Sequence, residues 1–304
     1  MSNSIVNQTL TNYAQGLMAD SAQALGDFIA PVVSTGVSHG QFMKFDDKQA
    51  FQAYNTARAT GGKRARIVFD ETAAYYNCVT NALEIAIDDA ERAAAGQGDP
   101  LLMEQAKIKT LLTNVATARE LNVWTKAKAA VSATGSVGVW STATNDPVAE
   151  IDSVIETIAT KTGLMPNRIV LGLGAWRALK NHVLVRSRFP GAPQVGASLD
   201  QIRGIFLNPD MEIRVGVMPY DTKKIGATKT NTNIVGAEVF VFYASDSPSV
   251  YDPSAMKTFR VSGTGVEAVK QYRDESCASD IYAIDFLEEV QVVATDAIAR
   301  ITVS

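Results

Sequence analysis

The chain is poor in the residues on which most catalytic and metal sites depend. Its 304 residues include only two histidines, His39 and His182. A Ser–His–acid triad needs a histidine oriented by a buried acid, and no nucleophile-elbow pattern accompanies either one. The sequence also lacks the Cys-x-x-Cys, His-x-x-x-His and calcium-loop spacings that hold metal ions. We therefore predict a protein that is not an enzyme, with no catalytic residue, metal or cofactor. His39 is expected in a turn and His182 at a helix end.

The net charge is also small, and cysteines and long apolar runs are scarce. The net charge is -4, from 28 basic and 32 acidic residues, and no lysine or arginine precedes Lys44. Such an N-terminal segment cannot neutralise phosphates, and it lacks the basic start of a signal peptide. No apolar run approaches the roughly 20 residues that span a bilayer. We predict synthesis in the cytoplasm, no membrane partner, and reduced thiols at Cys78 and Cys277. A disulfide between these two cysteines stays open as an alternative.

Two patterns suggest a site but have simpler structural explanations. Three pairs of identical acidic residues are adjacent in the sequence: Asp46–Asp47, Asp88–Asp89 and Glu288–Glu289. Neighbours in a helix or strand point apart, so we predict solvated carboxylates and not catalytic pairs. Gly172-Leu173-Gly174 resembles the start of a dinucleotide loop, but Arg177 stands where the third glycine of that fingerprint belongs. A tight turn from a strand into a helix explains these glycines.

The sequence does contain a long polar segment from which a compact monomer gains nothing. Residues 40–47 and 61–70 read as two extended, charged arms around a tip of small and polar residues. Ordering such a loop costs roughly 1–2 kcal/mol per residue in backbone entropy, and loops of this length are usually functional or disordered. We predict that other copies of the chain supply the missing contacts.

The charged residues of this loop are the candidate contacts between subunits. They are Lys44, Asp46, Asp47, Lys63, Arg64 and Arg66. Two interpretations of the basic ones stay open. They reach acidic surfaces on a neighbouring copy, or they pair with Asp46 and Asp47 on the opposite arm of the same chain. Exposed pairs of either kind contribute little to stability.

Helical and strand patterns divide the remaining chain. Asp99-Pro100 is a strong helix start, and apolar residues then recur at three- and four-residue steps without Pro or Gly to residue 134. Residues 72–89 are predicted to pass from a strand end into a helix. Residues 8–28 fit an amphipathic helix, or a tail that orders only against a partner. Residues 146–250 read as a compact α/β unit, and residues 251–304 favour long strands.

This order of elements resembles the major capsid proteins of tailed bacteriophages with the Hong Kong 97-like fold. The most telling local match is Pro166–Leu179, PNRIVLGLGAWRAL, which is similar to the strand–turn–helix with a buried Trp of that group's axial domain. Ala30–Val33, followed by Gly40–Phe45, resembles the family's entry into its extended loop. The resemblance covers most of the chain.

The resemblance implies an α+β fold and its division into parts. These are an N-terminal arm (1–35), an extended loop or E-loop (36–75), a peripheral domain (76–145 and 251–304) with a spine helix at about 99–134, and an inserted α/β axial domain (146–250). It implies a structural protein that self-assembles through pentamers and hexamers into an icosahedral viral shell. The shell encloses double-stranded DNA without sequence-specific contacts, so the protein is expected in the virion after synthesis in the host cytoplasm.

The resemblance also implies partners and leaves alternatives. Residues 1–35 are too short for a long fused scaffolding domain, so any scaffold is expected to be a separate protein, alongside portal and decoration proteins. Nothing identifies a reactive pair for an isopeptide link, and we predict none. One alternative keeps the fold but encloses enzymes, as in an encapsulin-like bacterial nanocompartment. Another class of alternative is an α/β enzyme with its site in residues 146–250, which the missing acid–base and metal residues disfavour.

Overall fold

The computed structural model describes residues 5–6, 24–44, 56–58, 60–64, 73–94, 100–132, 139–189, 198–224, 226–265 and 268–304. The strands are β1 Ile5–Val6, β2 Val32–Thr35, β3 His39–Met43, β4 Ala73–Asn77, β5 Val79–Asp88, β6 Arg168–Gly172, β7 Glu212–Gly216, β8 Pro219–Asp221, β9 Asn231–Asn233, β10 Glu238–Phe242, β11 Met256–Val261, β12 Val269–Asp274, β13 Ser279–Val292 and β14 Ile298–Thr302. The helices are α1 Gly26–Ile29, α2 Asp89–Ala94, α3 Pro100–Ala130, α4 Pro147–Thr162, α5 Leu173–Asn181, α6 Val183–Ser187 and α7 Leu199–Arg203. Helix and sheet are thus mixed, as predicted.

The larger sheet is built around β13, which spans 14 residues. β13 pairs in antiparallel fashion with β5, β11 and β12. β1 adds to β12, and β2 adds in parallel to β11, so that the six strands come from the two ends of the chain, residues 5–88 and 256–292. β13, from the region of predicted long strands at 251–304, is therefore the centre of this sheet, because its length lets β12 and β11 pair with successive parts of it while β5 pairs along it as well.

The prediction that residues 72–89 pass from a strand end into a helix is wrong over most of that range. Val79, Leu83 and Ile87 recur every four residues, a spacing that suits one face of a strand as well as one face of a helix. A continuous antiparallel register with β13, from Val79 opposite Glu288 to Asp88 opposite Ser279, makes the segment a strand. The helix begins only at Asp89.

The smaller sheet has the order β14-β10-β6-β7 and apolar side chains on both faces. On β6 and β10 alternate residues enter different cores: Val170, Phe240 and Phe242 point to one, and Ile169, Leu171, Val239 and Val241 to the other. α3 covers the first face, while α4 and α5 cover the second. Burial on both faces explains why these strands are apolar at nearly every position.

The last strand does not follow the expected division of the chain. Residues 251–304 are expected to pack together beside the spine helix, yet β14 pairs along its whole length with β10. Ala299 and Ile301 are buried in the core beneath α4. The chain's final segment therefore completes the sheet of the α/β unit, because the edge of β10 accepts its hydrogen bonds.

Local sequence signals bound the first helix of the α/β unit and the turn that follows β6. The Asp146 carboxylate accepts a hydrogen bond of 3.1 Å from the Val148 N–H, and Pro147 occupies the first turn of α4. Gly163 ends this helix with a left-handed φ of 67°. Gly172 ends β6 directly before α5, and a Cβ there would lie 2.1 Å from the Gly236 carbonyl oxygen. The glycines thus form a tight turn, as predicted.

α3 joins the two sheets. Its 31 residues extend about 46 Å at 1.5 Å per residue. The first half packs on β5, β12 and β13 through four buried apolar residues, Ile108, Leu111, Leu112 and Val115. The second half packs on β6 and β10 through Val123, Trp124 and Ala127, with the Trp124 ring 5.0 Å from the Phe240 ring. One helix thereby fixes the relative position of both sheets.

We predict that Trp124→Ala lowers the free energy of unfolding by about 3–5 kcal/mol, because it leaves a large cavity where α3 meets the smaller sheet. Urea unfolding of the unassembled protein measures this change. Leu102→Ala on the same helix is the matched control, since Leu102 is exposed and its removal should change stability by less than about 0.5 kcal/mol. Equal effects of the two substitutions would contradict the packing described for α3.

Candidate assembly surfaces

The base of the extended loop is a two-stranded ribbon of β3 and β4. Its inner side chains dock on the larger sheet: the Tyr76 ring stacks on Phe259 at 4.4 Å between centroids, and the Phe42 ring lies 5.3 Å from Phe259. A Cβ at Gly40 would lie 2.5 Å from the Tyr76 hydroxyl, so only glycine fits opposite this ring. The loop is therefore anchored at its base by a small aromatic core of its own.

The candidate contact residues of the loop are placed in part. Lys44 follows β3 and is exposed, and Lys63 and Arg64 are exposed near Gly61, whose φ of 81° makes a turn. None of these three cations makes an ion pair within the described ranges. Asp46, Asp47 and Arg66 lie outside the described residues, so the two interpretations of the arm charges both remain.

Both histidines have structural roles, one of them different from the prediction. His39 is not in a turn: it begins β3, opposite Asn77, because the ribbon extends further than its glycine and serines suggest. His182 follows α5, as predicted, and is buried. Its Nδ1 accepts from the Leu184 N–H at 3.3 Å, and its Nε2 lies 3.2 Å from the Thr142 carbonyl oxygen. His182 thus ties α6 to the loop before α4.

The prediction of solvated carboxylates is wrong for Glu288. This residue is only 5% exposed, and its carboxylate lies between two guanidinium groups, 2.8 Å from Arg119 and 3.0 Å from Arg260. Arg119 also pairs with Asp27 at 3.1 Å. Residue order did not reveal this group because its members come from α3, β11, β13 and α1. The ion pairs connect the N-terminal segment, the long helix and the larger sheet.

A second buried carboxylate lies next to this group, on the following residue of α3. Glu120 Oε1 accepts from the Leu25 N–H at 2.8 Å and from the Trp124 indole N–H at 2.7 Å, and its Oε2 accepts from the Gly26 N–H at 2.7 Å. The two backbone donors belong to the start of α1, where N–H groups have no helical partner. Glu120 therefore acts as a cap supplied from another helix.

We predict that Glu120→Ala lowers the free energy of unfolding by about 2–4 kcal/mol, because it leaves buried N–H donors of Leu25, Gly26 and Trp124 without an acceptor. Glu156→Ala on α4 is the matched control, because Glu156 is exposed and should tolerate the same change within about 0.5 kcal/mol. Urea titrations of the unassembled chain compare the two.

The Glu120→Ala effect should depend on pH. Burial raises the pKa of the Glu120 carboxyl above its ordinary value of 4.5. A pKa raised by folding gives a stabilising contribution that is complete below the unfolded value and is lost as pH rises through the folded value. The stability difference between wild type and Glu120→Ala should therefore shrink as pH increases above about 4.5. A difference that grows with pH over this range would contradict the raised pKa.

A groove runs along α5 at the carboxyl end of β6. It consists of two neighbouring cavities of about 470 and 590 Å³, which share Gly174, Arg177 and Asn181 as lining residues. Lys180 adds a second cation, and Leu173 and Val183 are exposed at its ends. Trp176, expected to be buried, is only partly buried and lines this groove. The sequence did not indicate it because its walls also include Trp140, Asn233 and Val303, from distant segments.

Three further kinds of feature could give the described residues another role: metal-binding clusters, membrane-spanning helices and disulfides. No three histidine, cysteine or acidic side chains in the described ranges are grouped to hold a metal ion. Across the same ranges, no helix combines the length and apolar character needed to cross a membrane. Cys78 is buried with its Sγ 3.3 Å from the Phe259 carbonyl oxygen, whereas Cys277 is exposed, and both are free thiols.

The fold is shared with a phage-related protein and with a phage capsid protein of known structure. A phage-related protein from Bordetella bronchiseptica RB50 matches with a TM-score of 0.73 at 24% identity, over 98% of this chain and 97% of that one. The capsid of cyanophage P-SCSP1u matches with a TM-score of 0.55 at 13% identity, over 90% and 85% of the two chains. The described elements therefore form a phage capsid fold.

Sequence comparison gives a more specific relative. The chain is 27% identical to the major capsid protein of Burkholderia phage BcepMu, in a match that covers 86% of this chain and 85% of the relative. No protein-family model matches the chain. The predicted resemblance to phage major capsid proteins is confirmed, and the comparisons support a structural protein of a phage shell.

Proposed function

We propose that this protein is the major shell-forming subunit of a tailed phage, with a Hong Kong 97-like fold, and that it encloses double-stranded DNA in an icosahedral capsid. The observation that carries the proposal is the match, over most of both chains, to a phage major capsid protein. That match also favours a viral shell over a bacterial nanocompartment. A structural role is consistent with the scarcity of catalytic residue types in the sequence.

The two sheets are proposed to have different roles in the shell. The larger sheet and α3 form the wall of the shell, as a peripheral domain of residues 76–145 and 251–297. The smaller sheet with α4 and α5 forms the axial domain, in which residues 146–250 are joined by β14. This division moves residues 298–304 from the peripheral to the axial domain, because β14 pairs with β10. Pentamers and hexamers would then form through contacts between axial domains.

The extended loop, residues 36–75, is proposed to contact the neighbouring subunit. Its base is held by the stack of Tyr76 on Phe259, whereas Lys63 and Arg64 are exposed beyond it. A rigid base with exposed cations beyond it suits a contact whose partners lie on another copy. A separate scaffolding protein, a portal and decoration proteins are the further partners that we propose from the resemblance.

We predict that the purified chain, with a separate scaffolding protein if one is required, assembles into closed icosahedral particles. Negative-stain electron microscopy and sedimentation velocity measure the outcome. The Trp124→Ala variant, destabilised at the junction of the two sheets, serves as the control and should give fewer particles. A folded wild-type chain that stays monomeric under every assembly condition would count decisively against a shell-forming function.

We predict that replacing residues 48–60 by a short Gly-Ser linker leaves the subunit folded but reduces particle yield at least ten-fold. In the sequence these residues stand between the two charged arms, and none of the described residues of the aromatic core at the base comes from this range. Thermal unfolding reports the fold, and sedimentation reports assembly. Lys63→Glu/Arg64→Glu tests the same contact without shortening the loop. A large loss of subunit stability in the linker variant would show that the loop serves its own subunit instead.

A further inference from the structure

The groove along α5 has the composition of a protein-binding surface. Arg177 and Lys180 line it, and neither makes an ion pair with any described residue. No acidic side chain is among the described residues that line either cavity. Leu173 and Val183, at the two ends, are 43% and 61% exposed. Apolar side chains, arginine and a partly buried tryptophan are the residue types enriched at interfaces.

The same α/β unit presents an acidic surface toward its other end. Asp152 and Glu156 lie one turn apart on the outer face of α4. The Asp152 carboxylate accepts from the Leu207 N–H at 2.9 Å, which brings Leu207, 51% exposed, beside them. Arg188 lies near Asp152 but pairs with Asp146. Exposed Asp210 follows in the same turn.

The two surfaces lie toward opposite ends of β6. α5 and its groove begin where β6 ends, at Gly172. The turn with Leu207 and Asp210 lies at the start of β6, since the Asn208 side chain donates to the Pro166 carbonyl oxygen at 2.7 Å. Five residues of strand separate the two ends, about 16 Å at 3.3 Å per residue. One subunit can therefore use both surfaces at the same time.

We propose that the α5 groove binds a second copy of this chain, and that its occupant is the acidic surface of α4 and the Leu207–Asp210 turn. Opposite charges meet in this arrangement, and exposed Leu207 faces the apolar rim residues Leu173 and Val183. Two grooves brought face to face would instead place like charges together, so the contact is heterologous. Heterologous contacts close into rings when the rotation between copies permits. The inference rests on the proposed shell function and specifies which residues form the contact within each ring.

Charge reversal tests the contact. Arg177→Glu/Lys180→Glu should lower particle yield at least ten-fold, with the thermal unfolding midpoint of the unassembled chain little changed. Arg177→Lys/Lys180→Arg keeps the charge and should assemble as wild type. Adding Glu156→Lys/Asp210→Lys to the reversed groove should restore most of the yield, because the attraction is re-established with opposite signs. Electron microscopy and sedimentation velocity measure particle yield in all four proteins.

Carbodiimide cross-linking of wild-type particles provides a test without substitution. Mass spectrometry should find Lys180 of one copy joined to Glu156 or Asp210 of another. If wild type forms particles but the reversed groove assembles equally well, this inference is wrong and the shell function stands. Failure of the second reversal to rescue assembly, together with no such cross-link, overturns the proposed occupant. A folded wild type that never assembles overturns both proposals.

Discussion

The buried carboxylate of Glu120 is the contact on which the arrangement of this subunit depends. It holds the first N–H groups of α1 against the middle of α3, between the half that packs on the larger sheet and the half that packs on the smaller one. α1 then inserts Phe28 and Ile29 into the core where α3, β6, β10 and the ends of β11 and β13 meet. Without an acceptor at this position, the start of α1 would bury polar groups unpaired, at a cost that a short helix cannot offset.

The charged groups around this junction restrict how the neighbouring segments pack more than they add to the free energy of unfolding. Glu288 between Arg119 and Arg260 joins three elements, and desolvation offsets much of the attraction within such a buried group. Lys257, fully buried, donates to the Asp252 carbonyl oxygen at 2.6 Å and pairs with its carboxylate at 3.0 Å. Burial lowers the pKa of this lysine. Directional bonds of this kind permit few alternative packings, and they hold the segment between the two sheets in one conformation.

Assembly of a shell requires a rigid subunit whose surface groups find their partners on other copies. The junction core makes the two sheets one unit, so that a contact formed at the smaller sheet keeps a defined geometry relative to the larger one. The extended loop and the α5 groove instead present cations that find no ion-pair partner within the described residues of their own chain. Ordering a loop is unfavourable in an isolated subunit, and we propose that neighbouring copies of the chain supply the contacts that offset this cost. Stability is thus concentrated at the junction and specificity at the surfaces.

The sequence by itself determined the features that neighbouring residues control. Asp146, Pro147 and Gly163 bound α4, the apolar steps after Pro100 produce α3, and the exposure of Lys63 and Arg64 follows from the polar loop around them. The resemblance to capsid proteins supplied the overall architecture, because the order of elements persists when few residues are shared. Only the tertiary structure decided that residues 79–88 are a strand, that β14 joins the smaller sheet, that Glu120 and Glu288 are buried, and that the α5 groove exists. Each of these depends on partners distant in sequence, and local spacing carries no information about which distant backbone or side chain completes a hydrogen bond or an ion pair.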